Sequence, residues 1–271
     1  AFFISAFMNT HPTSNKKVQR AWAMYDWANS VYSLVISATI FPVYYNSVTQ
    51  ASDGSDTVSF FGWEVVNTVL YSYSISFSFL VVALLAPLLS GIADAAGNKL
   101  NFMKFFVYLG AVSCISLFFF TGENLEFGII VSVLASVGFS GSIVFYNSFL
   151  PEIAKEEEFD MLSAKGFAFG YIGSVILLVF NLIIIQNPDW FGMPAGSFAP
   201  RFSFIVTGIW WIGFAQIPFR VLPNNPYKKS ISADYLLKGY REVNMVFKEL
   251  RAMPVVNRFL VSFFFYSMGV Q

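Results

Sequence analysis

Long apolar runs separated by short polar ones set the pattern of this chain. Six windows carry no Asp, Glu, Lys or Arg: 27–52, 65–93, 105–122, 127–151, 166–188 and 202–219, and a seventh starts at Phe259. A helix rises about 1.5 Å per residue and a bilayer core is about 30 Å thick, so roughly 20 apolar residues cross it. The windows therefore predict spans near 27–50, 66–90, 102–122, 127–150, 165–187 and 202–221. A soluble helical protein hides one or two such windows in its core, but six in succession leave too little polar surface to solvate. The expected organisation is a terminal segment 1–20, a six-helix membrane bundle 21–221, a linker 222–256 and the start of a further helix at 257–271.

Polar and small residues inside the windows recur at helical spacing. The first span carries Asp26, Asn29, Ser30, Ser33 and Ser37, the second Asn67, Tyr71, Ser74 and Ser78, and the fourth Ser132, Ser136, Ser140 and Asn147. Residues three or four apart share a helix face, and lipid cannot hydrogen-bond such a face, so it must look at other helices or at water. Gly166, Gly170 and Gly173 of the fifth span, with Asn181, offer a face that another helix can approach closely. Spans one, two, four and five read as interior walls, and the more uniformly apolar three and six as outer ones. The candidates for lining a solute path are Asp26, Asn29, Ser33, Asn67, Tyr71, Ser136, Ser140 and Asn147. Two readings stay open for them: a cavity wall, or tight packing with serines as small residues between helices. Asp26, the one acid near the first span, reads either as an interfacial carboxylate or as a gate or substrate contact.

The connections differ in character. The segments 50–64 and 187–200 are polar or Gly/Pro-bearing loops, with Trp63 and Trp190 at interface depth. Pro42, Pro87 and Pro218 lie near span ends, where a missing backbone donor can bend a helix. Between 222 and 256, apolar residues from Ile231 to Leu250 recur on one side of a basic stretch, the pattern of an amphipathic helix on the membrane surface. Residues 1–7 are apolar but too short for a span; no cleavable leader is apparent, and the first span can itself direct insertion.

Composition agrees with the pattern and narrows the function. Hydrophobic residues make up 56% and charged residues 12%, about half the charged share of a soluble domain. The net charge of zero argues against a nucleic-acid surface. With the amino terminus in the cytoplasm, every Lys and Arg but Arg201 falls inside, which fixes the expected orientation. A single cysteine, Cys114, and a single histidine, His11, exclude a disulfide within the chain, a Cys/His metal cluster and a His-dependent triad. No paired catalytic carboxylates, no nucleophile beside a base and no phosphate-binding loop stand out, so neither an enzyme nor a cofactor or metal is expected.

Motifs supply a resemblance. Gly91, Asp94, Gly97 and Lys99 resemble the loop between helices two and three of the major facilitator superfamily, although Ala95 stands where a basic residue usually follows the Asp. Within that superfamily, Tyr-Asp-Trp-Ala-Asn-Ser at 25–30 resembles the opening of the vacuole-effluxer-like branch, which includes bacterial permeases and the fungal autophagy-related exporter of amino acids. Phe-Tyr-Asn-Ser-Phe-Leu-Pro-Glu-Ile-Ala at 145–154, the stretch 162–173 and the stretch 266–271 resemble the same branch, with Met268 where the family often has an acid. The resemblance implies the six-helix amino-terminal bundle of a twelve-helix facilitator fold, with a second six-helix half as its partner. It implies a secondary transporter that moves a small polar solute, amino acids first, by alternating access. The loop Gly91, Asp94, Gly97 and Lys99 would then help gate one side, and a coupling proton would need Asp26, the one titratable candidate. The membrane would be a bacterial plasma membrane, or a vacuolar one in a fungus. The alternative is a sensor or assembly scaffold on the same fold.

Overall fold

The computed structural model describes residues 15–50, 55–96, 98–224, 244–245, 248–249 and 253–270. They fall into two compact units, 1–82 with 99–225 and 83–98 with 226–271. Most of the stretch 222–256, with its expected surface helix, lies outside the described residues.

The described residues contain six helices long and apolar enough to cross a membrane: Lys16–Thr49, Asn67–Pro87, Lys99–Phe119, Leu125–Ile153, Glu156–Gln186 and Phe198–Val221. The chain is a multi-pass, all-α membrane bundle with the span count of half a facilitator fold. Span one starts before its apolar window because Asn15 caps it, its side chain accepting from Lys17 N at 2.9 Å. It runs as α1 (Lys16–Val31), a π-helical stretch (Tyr32–Ile40) and α2 (Phe41–Thr49). Pro42 has no N–H for the carbonyl four residues earlier, and its ring would clash with that carbonyl; widened turns just before it relieve the conflict. Two carbonyls of that region take side-chain donors instead: Thr39 Oγ1 donates to Leu34 O at 2.6 Å and Tyr71 OH to Ser37 O at 3.2 Å.

Between spans one and two, where the sequence reads as loop, the chain forms an antiparallel hairpin of β1 (Thr57–Phe60) and β2 (Trp63–Val66). Two four-residue strands are too short to show alternation convincingly, and Gly62 at φ 83 supplies the turn. Span two belongs to α3 (Asn67–Ala96), which contains Pro87 and continues as helix through Gly91 and Asp94. The polar stretch 91–99 is thus mostly the last turns of a helix, because a single Gly and an Asp are tolerated there.

Span three is α4 (Lys99–Ser116) with a 3-10 turn, Leu117–Phe119; span four is α5 (Leu125–Ser148) with α6 (Leu150–Ile153). Span five is α7 (Phe159–Gln186) and span six α8 (Phe198–Val221). In the second unit, α9 (Pro254–Val270) covers the expected start of a further helix.

Spans three and four pack most closely, since Gly110 and Gly138 leave their backbones in contact; a Cβ on Gly138 would run into Gly110. Span one lies against spans five and six, and span six also against span three. Spans three and six therefore do more than form an outer wall: each turns one face inward, with Phe106, Ala111 and Cys114 of span three and Phe204, Thr207 and Trp211 of span six buried. The opposite face of span three shows Phe105, Tyr108, Val112 and Phe119 outward, which suits lipid.

Candidate functional site

Two polar nests occupy the interior of the first unit, both built on span one. The first centres on Asp26, in the middle of α1 and only 9% exposed. Tyr146 OH, from span four, donates to Asp26 Oδ2 at 2.8 Å. Tyr146 is itself fixed from two sides: its ring stacks on Trp22 at 4.2 Å between centroids, and its carbonyl accepts from Trp22 Nε1 at 2.9 Å. Tyr25 tilts against the same ring at 4.9 Å and donates its hydroxyl to Asn29 Oδ1 at 3.3 Å. Ser142 Oγ sits 3.5 Å from that amide oxygen while donating to Phe139 O at 2.7 Å.

Span five closes this nest with glycines. A Cβ on Gly166 would strike Asp26 Oδ2, and one on Gly170 would come within 2.5 Å of Ser30 Oγ. Gly173 faces Trp27 in the same way. Among the described residues no cation pairs with Asp26. A carboxylate out of water with one hydrogen bond and no counter-ion is costly, so the site is suited to taking up a proton or a cationic group.

The second nest is a small cleft between spans one to four, lined by Tyr32, Ser37, Tyr71, Ser74, Ser132 and Ser136 among others, with a volume of about 10 Å³. That is about the space one water occupies. Tyr32 OH and Ser136 Oγ lie 2.8 Å apart across it. Ser74 and Ser132 donate to carbonyls of their own helices, Tyr71 O at 2.7 Å and Ile129 O at 2.9 Å. Their oxygens keep lone pairs for a guest. The π-helical stretch supplies this wall of span one, so its widened backbone and the polar cleft coincide.

The eight path candidates separate in space. Asp26 and Asn29 meet in the first nest, and Tyr71 and Ser136 in the second. Asn67 is fully buried elsewhere: its Nδ2 donates to Asn46 Oδ1 and Thr49 Oγ1, both at 3.1 Å, and its Oδ1 accepts from Thr68 N at 2.6 Å. It ties the start of span two to the end of span one. Ser140 is half-buried, and Ser33 and Asn147 are exposed. Of the loop residues, Gly97 and the side chain of Asp94 lie outside the described residues, and Gly91 belongs to α3; Lys99 opens span three and pairs with Glu152 of span four at 2.7 Å. Beside that pair, Gln19 Nε2 reaches Ile153 O at 3.2 Å and Glu158 Oε2 at 3.1 Å, joining the start of span one to the turn between spans four and five. Tyr146, Trp22, Tyr25 and Ser142 are absent from the sequence-based candidates. Tyr146 lies inside the quoted Phe-Tyr-Asn-Ser stretch, which was the available signal.

Known proteins are similar to this chain. The family described as Vacuole effluxer Atg22 like matches residues 14–271. A Bacillus subtilis protein, named as the uncharacterized MFS-type transporter YxiO, is 32% identical over 255 residues, covering 94% of this chain and 58% of its own length. Autophagy-related protein 22 of Gibberella zeae is 25% identical over 167 residues, 54% of this chain and 25% of the fungal protein. The protein of the same name from Coccidioides immitis is 20% identical over 358 residues, with 97% of this chain and 58% of the relative covered. The chain thus spans little more than half the length of the relatives it matches most fully. No solved structure matches. Matched over nearly all its residues, with six apolar spans and a buried acid on the first, the chain belongs to the Vacuole effluxer Atg22 like family.

Proposed function

We propose that this chain is part of a secondary active transporter that moves a small polar solute by alternating access, with amino acids as the first candidates. The family description, a vacuole effluxer, and the name of the Bacillus relative, an MFS-type transporter, support a transporter rather than an enzyme. The observation that carries the reading is the Asp26–Tyr146 pair, an acid held inside a membrane bundle at the meeting of spans one, four and five. An isolated intramembrane carboxylate is expensive to keep and typically marks an ion or substrate path.

In this mechanism Asp26 takes the coupling proton. Protonation neutralises the buried charge and lets Tyr146 keep its hydrogen bond to the carboxyl. The hydroxyl cleft around Tyr32, Tyr71 and Ser136 contributes one wall of the solute path, and a second six-helix half contributes the other. The glycine face of span five permits small shifts against span one during rocking. The Lys99–Glu152 pair and the Gly91, Asp94 and Gly97 segment serve the gate on the cytoplasmic side, where the amino terminus is placed by the positive-inside rule. The Bacillus relative supports a bacterial plasma membrane as the location.

The experiment is flux of radiolabelled amino acids into proteoliposomes holding the full-length protein, driven by a pH gradient. Accumulation that collapses with a protonophore and in Asp26→Asn supports the reading. Flux that ignores both removes Asp26 from coupling; absence of flux for every solute tried, by folded protein, favours a non-transporting role.

A further inference from the structure

The hairpin between spans one and two has two unlike faces. Cross-strand partners share a face, so Val58 with Val65 and Phe60 with Trp63 form an all-apolar side, while Thr57 with Val66 and Ser59 with Glu64 form the other. Two strands cannot bury an apolar face against themselves, and such a hairpin is marginal in water. Val58, Phe60 and Val65 are half-buried, yet Trp63 on the same face stands 80% exposed.

Both ends of the hairpin are pinned at span boundaries. At its base, Asn67 N, the first residue of α3, donates to Asp56 O at 2.8 Å. At its tip, Phe61 N donates to Glu126 Oε1 at 3.2 Å, and Glu126 lies in the first turn of α5. An element tied to the start of span two and to the start of span four is held against those span ends instead of standing free of them.

The tip is also strained. Phe61 has φ 49, a conformation that a bulky aromatic residue rarely adopts and that Asn or Gly usually fills in this kind of turn. The Glu126 contact holds it there, and the ring, 66% exposed, packs edge-on against Phe60 at 4.8 Å. Strain kept at an exposed aromatic points to a use for the ring. Aromatic side chains favour the zone between headgroups and acyl chains, where an apolar body and a wet edge are both accommodated. Trp190, in the turn joining spans five and six at the same end of the bundle, is 76% exposed as well.

We infer that the hairpin is a lipid anchor: its exposed aromatic residues, Trp63 on the apolar face and Phe61 at the tip, insert into the interfacial layer of the leaflet at that end of the bundle, with the half-buried Val58, Phe60 and Val65 on the lipid side behind them. The partner is the lipid surface, and Ser59 and Glu64 face water. The anchor fixes the height of the connection between spans one and two, and through Asn67 it holds the end of span one.

Cys114, the one cysteine of residues 1–271, is buried, and with every cysteine outside this stretch replaced by Ser an added thiol is the labelling site. Val65→Cys and Glu64→Cys are made in the full-length protein, spin-labelled, and reconstituted in phosphatidylcholine vesicles. Collision with oxygen, which enriches in lipid, is compared with collision with a water-soluble nickel chelate; Val58→Cys replaces Val65→Cys if that variant fails to fold. The expected result is that the label at 65 meets oxygen several-fold more than nickel, with the reverse at 64. Equal access of nickel to both positions would place the hairpin in water and overturn the inference. Shielding of position 65 from both reagents would mean that protein covers the face, which overturns it too.

Discussion

Gly166 leaves no room for a methyl group, because a Cβ there would meet the Asp26 carboxylate. Gly166→Ala must push span five outward or turn Asp26 away from Tyr146. Overpacking of this kind costs about 1–3 kcal/mol, so the variant is expected to melt earlier in detergent and to transport at a small fraction of the normal rate. Asp26→Asn keeps the shape and still accepts from Tyr146 OH. It is expected to melt near the wild-type temperature while its flux no longer follows the pH gradient; wild-type flux across a pH series would remove Asp26 from the mechanism. Asp26 was legible in the sequence as the one acid near an uncharged span. Tyr146 was not, since a tyrosine in an apolar helix looks like core, and its partner lies 120 positions away.

Helix ends carry the element-scale lessons. Asn67 sat on a polar face at helical spacing and so read as a path residue, but its amide is spent on Asn46, Thr49 and Thr68. Asn67→Ala would strand one buried acceptor, Thr49 Oγ1, at about 1–3 kcal/mol, and release the exposed Asn46 amide as well. It is expected to lower thermal stability clearly and leave the KM for solute unchanged; a raised KM with normal stability would restore it to the path. Periodicity alone cannot separate these roles, because a cap and a cavity wall both ask for a polar residue facing inward. The hairpin and the extension of α3 to Ala96 were likewise not legible, the first because its strands are short and the second because Gly and Asp signal turns only weakly. The π-helical stretch has no signature beyond Pro42, and a restored backbone donor is its natural probe. Pro42→Ala is expected to tighten the helix there, detected as slower amide exchange around residue 39, and to lower flux by narrowing the polar cleft.

At the scale of the whole molecule, charge-free windows were enough to count the spans, because the bilayer sets a length that six stretches of this chain meet. The six-span bundle and the family followed, the second through motifs that lie at span ends and at the Asp26 nest. How the spans share the interior was less legible: spans three and six bury a face each mostly through Gly, Ala and aromatic residues, with Ser113 and the pair Ser203 and Thr207 as a thin polar signal. Orientation rests on basic residues alone and is open to a direct check. A cysteine at Asp189, in the turn between spans five and six, is expected to react with a membrane-impermeant thiol reagent applied to intact cells, and one at Glu157, between spans four and five, only after permeabilisation; the reverse pattern would invert the topology.

The central claim is transport coupled through the buried acid. The most direct measurement is amino-acid accumulation in proteoliposomes of the full-length protein under an imposed pH gradient, with Asp26→Asn reconstituted alongside at equal density. The account predicts accumulation in the wild type that ends when the gradient is dissipated, with loss of gradient-driven accumulation in the variant. Equal accumulation by the two proteins, or none by a wild type shown to be folded across a broad panel of polar solutes, would contradict it.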